Sequence, residues 1–377
     1  MRCLGPGVDA DRNHSPGAGV GSNMAIVGAW LAMDEFNSEE AAAYQRYTST
    51  ITRVYPSNGG HWDAEGNLLQ LDHRLNWEWP LALPGLARQN GQEYAPAVGT
   101  YVPHELMDNP AVWELALDNM LELAFNRFDS PWHGVIFDIE GLNVDYREKQ
   151  NAFYTLASEK LHGAGLEMHC WLWNCLEPHE HVMCDHATDW ATLAPLFDYL
   201  NVGEAYYADY TPPEELCIAP IWWIEEGLQR MIGEGVPPGK IVMDLRLAAK
   251  YCHGPTASDS TWLSYSDAAA MLAETGARLE WVDHFPEGAA HPESTLPGSV
   301  QELMAYLPDD ELLWIEDQRT TSIRLALAEK YGVEHCAVFR PAISNPTSWQ
   351  AIADWKRPTP REQRPTDRFY QAPNWCG

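Results

Sequence analysis

The stretch His133-Gly-Val-Ile-Phe-Asp-Ile-Glu-Gly141 determines how the rest of the chain is interpreted. At a period of two, its odd-numbered positions from Val135 to Ile139 form one apolar face of a β-strand, while Asp138 and Glu140 share the other face. Burying an unpaired carboxylate costs on the order of several kcal/mol, so two together at a strand end indicate a functional site. The alternative is a structural pair satisfied by backbone donors or an arginine.

Charge and composition narrow the classes of partner. The chain has 377 residues, of which 54 are acidic and 24 basic, and its formal net charge is −30. Nucleic-acid binding depends on a basic footprint, so this charge argues against a nucleic-acid partner. The hydrophobic content of 45% is ample for a large core.

No window approaches the roughly 18 consecutive apolar residues of a membrane span, so no membrane insertion is predicted. The N-terminus lacks the apolar core of a signal peptide, which predicts a cytoplasmic protein, with secretion as the alternative. Residues 1–23 are rich in Gly, Asp and Pro and are predicted to form a disordered leader. The eight cysteines form no CxxC pair, and Cys170 and Cys336 lie inside apolar runs and are predicted to be buried.

From residue 24 onward, short apolar runs alternate with longer segments of helical period, which is typical of βα units and a parallel sheet. The strand-like runs are 25–31, 51–56, 94–99, 133–141, 167–173, a run within 197–206, 240–247 and 335–340. The helical segments are 38–47, 76–90, 109–128, 146–161, 222–232, 320–331 and 345–355. The Asn-Pro pairs at 109–110 and 345–346 are predicted to cap two of these helices.

Eight strand-like runs with intervening helices predict an α/β fold, a (β/α)8 TIM barrel spanning residues 24–356. A doubly wound open sheet is the structural alternative, but no glycine-rich turn follows the first run. Residues 251–313 break the rhythm and are predicted to form a small insertion between strands 7 and 8, a hairpin or excursion rather than a separate domain. Residues 357–377 are predicted to be a surface tail. Active sites of such barrels lie at the C-terminal ends of the strands, where Asp138 and Glu140 fall.

The same stretch resembles the fourth-strand motif DxxDxDxE of glycoside hydrolase family 18, which includes chitinases, endo-N-acetylglucosaminidases and spore-cortex hydrolases. Weaker similarities link residues 51–56 to the family's second strand, 197–201 to its sixth, 239–243 to its seventh, and 314–317 with 331–333 to the approach to its eighth. The resemblance covers most of residues 24–345 and is that of a divergent member. It implies a TIM barrel that hydrolyses glycans.

The resemblance also implies roles for individual residues. Glu140 matches the general acid/base, and Asp138 matches the aspartate that orients the substrate's N-acetyl group. Tyr206 matches a sixth-strand tyrosine that helps to hold the reacting amide, with Tyr207 as the alternative alignment. The family uses the substrate's own amide as nucleophile, retains the anomeric configuration, and needs no cofactor. The acid must be protonated near neutral pH, which burial beside Asp138 favours.

The chain departs from the family within the motif itself. Ile136 stands where the family has its second aspartate and His133 where it has its first. Asp138 therefore loses its usual partner on the same strand.

Charged residues fall near the ends of three other strands. Arg340 lies where family members carry the eighth-strand tryptophan that floors the sugar subsite, and Arg246 and Glu204 lie near the ends of the seventh and sixth strands. An arginine in a barrel mouth binds a carboxylate or sugar hydroxyls, or serves as a plain salt-bridge partner. If Arg340 faces the pocket, an acidic or otherwise modified sugar is predicted.

Aromatic residues supply further candidates. Trp171 and Trp173, on or just after the fifth strand, are predicted to stack on a sugar face, and the neighbouring Asn174 completes the predicted substrate-binding set. The alternative is that these tryptophans pack the barrel against its helices.

The loop at 177–186 contains several residues able to bind a metal, His179, His181, Cys184 and His186. Their spacing matches no strong zinc signature, so no metal is predicted, and a zinc hydrolase is a minor alternative.

The sequence thus predicts a glycoside hydrolase acting on an oligosaccharide or polysaccharide, at an N-acetylhexosamine. One alternative is a divergent glycosidase for a different or acidic sugar, without amide assistance. Another is a non-catalytic, lectin-like barrel, against which the retention of Glu140 argues. The sequence does not determine an oligomeric state.

Overall fold

Eight parallel strands form the central layer of the protein. The computed structural model describes residues 25–32, 38–57, 60–69, 78–99, 104–126, 132–139, 142–173, 189–203, 219, 221–254, 259–283 and 301–356. The predicted leader at 1–23 and tail at 357–377 lie outside these residues. Strands 1 to 8 are Val27–Ala32, Arg53–Ser57, the two segments Glu93–Tyr94 and Ala97–Val98, Gly134–Phe137, Glu167–Trp173, Tyr199–Gly203, Ile241–Leu245 and His335–Phe339.

Strand 3 closes the ring. Its first segment pairs with strand 2 and its second with strand 4, and Pro96, which has no amide hydrogen, lies between the segments. The Ala95 amide donates to the Val54 carbonyl at 3.0 Å, and the Pro96 carbonyl accepts from the Ile136 amide at 2.9 Å. The remaining neighbours pair in parallel through to strand 8, which pairs with strand 1. The predicted (β/α)8 barrel is confirmed.

Helices follow most of the strands. They are Ser38–Tyr47, Glu78–Gln89, His104–Asp108, Trp113–Asn126, Arg147–Gly163, Trp190–Leu193, Ile221–Gly233, Tyr265–Thr275, Gln318–Tyr331 and Pro346–Lys356. The predicted cap at Asn345 is confirmed, because its Oδ1 accepts the Thr347 amide at 2.9 Å. Asn109 occupies the predicted N-cap position, with Pro110 as the first helical residue, but its side chain makes no capping bond. A 3-10 turn at Pro110–Val112 precedes the helix Trp113–Asn126. The Asn109 amide donates to the Leu106 carbonyl at the end of the preceding helix, His104–Asp108.

The strands carry two separate sets of buried side chains. The outward set packs between barrel and helices and includes Val135, Phe137 and Ile139, as well as Cys170 and Cys336, both confirmed as buried. The inward set fills the barrel itself and consists of Trp30, Tyr55, Ala95, Ala97, Ile136, Trp171, Val242 and Ala337. The two faces predicted for strand 4 are therefore confirmed.

Two inward glycines make room for aromatic rings. A Cβ on Gly28 would lie 2.3 Å from Cε2 of Tyr55, and a Cβ on Gly203 would lie 2.5 Å from Cζ2 of Trp171. Real Cβ contacts are never this short, so these positions exclude any side chain while the rings stay where they are.

The N-terminal end of the barrel interior is occupied by an ionic cluster around Arg53, which is 2% exposed. Arg53 pairs with Glu93, its Nη2 lies 2.9 Å from Oε2 of Glu167, and its Nη1 lies 3.1 Å from Nε2 of His169. Burial opposes ionisation of Glu167, but the hydrogen bond with His169 and the charge of Arg53 lower its pKa to about 2. Paired charges thus fill this end, and the C-terminal end, where such barrels carry their active sites, is the place for a site.

The insertion between strands 7 and 8 is a five-stranded antiparallel sheet. Its spatial order is Ser260–Leu263, Ala249–Cys252, Leu312–Ile315, Gln301–Tyr306 and Leu279–Asp283. It is larger than a hairpin and extends two residues beyond each end of the predicted 251–313, because Ala249 already pairs with Ile315. The helix Tyr265–Thr275 packs on one face of this sheet. No helix in the described part of the chain is long and apolar enough to cross a bilayer.

Candidate active site

Asp138 emerges at the C-terminal end of strand 4, one residue beyond the last paired residue. Its amide donates to the carbonyl of Val98 at 3.0 Å, which fixes it against strand 3. The side chain belongs to the inward face of the strand and is half-buried. A carboxyl group at this end of the barrel fits the location predicted from the sequence. Glu140, two residues further on, lies outside the described residues, and its role stays a prediction.

A second carboxyl group, Asp244 on strand 7, lies inside the barrel and is 6% exposed. Its Oδ2 accepts hydrogen bonds from the indole Nε1 atoms of Trp30 at 3.0 Å and Trp171 at 2.9 Å. Its Oδ1 accepts from Nδ2 of Asn201 at 3.4 Å. These three donors come from strands 1, 5 and 6, so Asp244 ties four strands together.

The surroundings of Asp244 favour its protonated form. Burial raises its pKa to about 7, and the charge of Asp138 adds to this rise, while the donors Trp30, Asn201 and Trp171 oppose it. A group with this pKa carries a proton for much of its time near neutral pH. Two carboxyl groups of unequal burial, at the mouth and in the interior, thus influence one another across the barrel.

Sequence reasoning did not identify Asp244. The signal was present, because Asp244 is the only charged residue in the apolar run of strand 7, Ile241–Leu245. An inward position within a strand buried on both faces is an expensive place for a carboxylate. Its partners could not be seen, since Trp30 is 214 positions away and Trp171 is 73.

Trp171, predicted to stack on a sugar, lies within the barrel and is 8% exposed. Its ring passes Gly203 and its N–H group is committed to Asp244. This placement favours a role in holding Asp244 over stacking on a ligand. Trp173 is the last residue of strand 5, and its side chain lies outside the described residues.

Arg246 follows strand 7 and is 8% exposed. Its guanidinium carbon lies 4.3 Å from the ring centroid of Trp262 and 4.5 Å from that of Phe339, so it is held between two aromatic faces. Nζ of Lys250 lies 4.4 Å from the same Trp262 ring. Two cations therefore gather where the insertion sheet meets the barrel mouth.

Arg340 follows strand 8 and is half-buried, with its amide donating to the carbonyl of Trp30 at 3.0 Å. Its φ of +53° lies in the left-handed region that non-glycine residues rarely adopt. Such strain concentrates at functional sites, which is consistent with the predicted place in the pocket.

The other predicted site residues, Tyr206 with its alternative Tyr207, Glu204 and Asn174, lie outside the described residues. So does the histidine-rich loop at 177–186, and its metal-binding alternative is untested. Among the residues that the structure does describe, no group of three or more His, Cys, Asp or Glu side chains is placed to hold a metal ion.

Solved structures share this architecture. The spore cortex-lytic enzyme SleL from Bacillus megaterium has 16% sequence identity and a TM-score of 0.71, over 88% of this chain and 74% of the enzyme. A chitinase from Chromobacterium violaceum has 18% identity and a TM-score of 0.72, over 87% and 98%. The class V chitinase from Nicotiana tobaccum has 12% identity and a TM-score of 0.68, over 88% and 99%.

This chain shares its fold with those enzymes. No protein-family model and no curated protein sequence matches it. At these identities the likeness establishes the architecture that the motif at 133–141 implied, and the chemistry must be argued from the chain's own residues.

Proposed function

We propose that the protein is a glycoside hydrolase that cleaves a glycan at an N-acetylhexosamine, with Glu140 as general acid/base and Asp138 orienting the substrate amide. The observation that carries this proposal is the inward-facing carboxyl group of Asp138 at the mouth of a closed barrel. The structural neighbours support it, since they are chitinases and a spore cortex-lytic enzyme, and the Nicotiana tobaccum chitinase has also been solved in complex with NAG4.

In this mechanism Glu140 protonates the glycosidic oxygen as the bond to the anomeric carbon breaks. The carbonyl oxygen of the substrate's N-acetyl group attacks that carbon from the opposite face, and Tyr206 helps to hold the reacting amide. Asp138 accepts a hydrogen bond from the amide N–H and balances the positive charge that develops on the amide. Glu140 then removes a proton from the water that opens the cyclic intermediate, and the configuration is retained.

A second candidate is a glycosidase for an acidic sugar without amide assistance. Arg246 and Lys250 at the edge of the mouth, in a chain of net charge −30, are the observation that favours it. Arg340 in its strained conformation at the end of strand 8 adds a third cation. A guanidinium group recognises a carboxylate through two parallel hydrogen bonds.

The deciding experiment is a product survey by mass spectrometry. The purified protein, its Glu140→Gln variant and an exposed control, Glu148→Gln, are incubated with chitin oligomers, peptidoglycan fragments, N-glycans, and uronic-acid and neutral oligosaccharides. Cleavage at an N-acetylhexosamine that is lost in Glu140→Gln and kept in Glu148→Gln supports the proposal. Cleavage confined to sugars without an amide selects the second candidate, and binding without any cleavage means a lectin-like barrel.

Arg340 is tested separately. Tryptophan at this position would combine a bulky side chain with a left-handed backbone, so Arg340→Asn is the better variant, because asparagine tolerates that conformation. Under the second candidate, Arg340→Asn lowers kcat/KM for uronic-acid substrates at least about tenfold more than for neutral ones. An unchanged substrate profile would make Arg340 a structural residue.

A further inference from the structure

The inward position before Asp138 on strand 4 holds Ile136 and no carboxyl group. That side chain is fully buried in the apolar set that fills the barrel, with Trp30, Tyr55 and Trp171. A carboxyl group on the interior side of Asp138 must therefore come from another strand.

Strand 7 supplies a carboxyl group in the right place. Phe137 pairs with Cys170, so Asp138 and Trp171 come next in register on strands 4 and 5. The indole N–H of Trp171 then reaches Asp244 at 2.9 Å. The residues flanking Asp244, Met243 and Leu245, belong to the outer layer, so Asp244 itself faces the interior.

We propose that Asp244 is the partner carboxyl group of Asp138, and that the two share one proton, which Asp244 holds so that Asp138 stays negatively charged toward the substrate amide. This inference rests on the proposed function. It makes Asp244 a positioning residue, which acts through Asp138 and does not touch the substrate.

The difference in burial decides where the proton lies. Two carboxylates in one poorly hydrated site repel each other, and the more buried one loses more solvation on ionising. Asp244 is 6% exposed, whereas Asp138 is half-buried at the mouth. The donors to Asp244 from Trp30, Trp171 and Asn201 are all neutral, so they orient the carboxyl group without cancelling a full charge.

The other titratable groups around Asp244 leave this assignment intact. Tyr55 on strand 2 stays neutral because burial raises its pKa well above the ordinary value. Arg53, one layer below, is paired with Glu93 and Glu167. Arg246, two residues along the chain, is held between the rings of Trp262 and Phe339.

Asn201 offers a way to test the pair without disturbing the fold. In Asp244→Asn the new oxygen still accepts from both indoles. The new NH2 group faces Asn201, whose Oδ1 accepts no hydrogen bond from the residues that the structure describes. Rotation of the Asn201 amide would then pair the two side chains. Asparagine thus keeps the shape of the Asp244 side chain but cannot ionise.

The experiment follows the indole N–H resonances of Trp30 and Trp171 by 15N NMR between pH 5 and 9. They are assigned with Trp30→Phe and Trp171→Phe in the full chain. Both resonances are expected to titrate together with one midpoint near neutral pH, and this titration should be absent in Asp244→Asn. Asp138→Asn should lower the midpoint by about half a unit or more, because the neighbouring negative charge is gone. Asp354→Asn, the same charge change at an exposed position on the helix Pro346–Lys356, should leave the midpoint in place.

The proposal that Asp138 and Asp244 form a pair would be rejected by an unchanged midpoint in Asp138→Asn. It would also be rejected if the two indole resonances did not titrate together. Hydrolysis is not the readout, so the two proposals fail separately. Coupled titration in a protein that cleaves no glycan would keep the pair and reject the proposed function. Hydrolysis of a glycan by a protein in which Asp244 titrates independently of Asp138 would keep the proposed function and reject the pair.

Discussion

Trp171 on strand 5 and Asp244 on strand 7 are joined across strand 6 by a hydrogen bond of 2.9 Å from indole Nε1 to Oδ2. The bond spans an intervening strand because Gly203, at that level of strand 6, has no side chain and the indole occupies its place. The positions of Trp171, Gly203 and Asp244, on strands 5, 6 and 7, thus depend on one another. The first two predictions concern this dependence.

Trp171→Phe should destabilise the protein by about 1–3 kcal/mol, because a buried carboxyl group loses one of its donors. Urea denaturation at pH 7 measures this change. The variant keeps an aromatic ring, so a ring that stacks on sugar would still bind substrate. Unchanged stability would contradict the role of Trp171 as a donor to Asp244.

Gly203→Ala should destabilise by about 1–3 kcal/mol, since its Cβ would lie 2.5 Å from Trp171 and must displace the ring. Gly233→Ala is the matched control. It lies at the end of the helix Ile221–Gly233, a Cβ there meets nothing within 4 Å, and alanine should be neutral or stabilise by up to about 1 kcal/mol. Equal unfolding midpoints for the two variants in urea would contradict the packing argument.

Asp244→Asn should change how stability depends on pH. Burial raises the pKa of Asp244 to about 7 in the folded protein, against 3.8 for an ordinary aspartate, so between these pKa values the folded state keeps a proton that the unfolded chain has lost. Stability of the natural protein therefore falls as pH rises through this window. Asparagine cannot ionise, so the variant should gain about 3–4 kcal/mol relative to the natural protein between pH 4 and pH 8.

Urea denaturation of both proteins at these two pH values tests this prediction. Asp354→Asn controls for the change in net charge. A stability difference that does not vary with pH would show that Asp244 is ionised throughout.

Arg324→Met should destabilise by about 3–5 kcal/mol at pH 8. Nη2 of Arg324 lies 2.6 Å from Glu316 and 3.6 Å from Glu302, all three side chains are at least 95% buried, and the variant leaves the two carboxyl groups without their cation. Burial raises the pKa of both glutamates, so the loss should shrink at pH 5, where they take up protons more readily.

Arg230→Met is the matched control. Arg230 forms an exposed pair with Glu234 one helical turn away, and such pairs contribute about 0.5 kcal/mol or less. Differential scanning fluorimetry at pH 5 and pH 8 compares the two variants. Similar losses in both would mean that Arg324 acts only as a surface charge.

Much of the fold could be predicted because its signals are local. The alternation around Val135 and Phe137 depends only on neighbouring residues, and the cap at Asn345 only on the next two. At Asn109 the capping bond is missing because its ψ of 77° departs from the extended backbone that a capping residue adopts. The size of the insertion was also missed, since the pairing of Ala249 with Ile315 joins positions far apart in the chain.

The sequence by itself determined the eight strands, most of the helices and the two faces of strand 4, because burial at a period of two or 3.6 shows in neighbouring residues. The helices His104–Asp108, Trp190–Leu193 and Tyr265–Thr275 were not predicted. The sequence also showed that strand 4 has Ile136 at the position where the family it resembles has an aspartate. Only the closed barrel decided that Asp244 is held by Trp30 and Trp171 and feels the charge of Asp138. Closure of the barrel brings Asp244 into contact with Trp30 and Trp171, which are 214 and 73 positions away in the chain. No local sequence pattern predicts contacts over such separations.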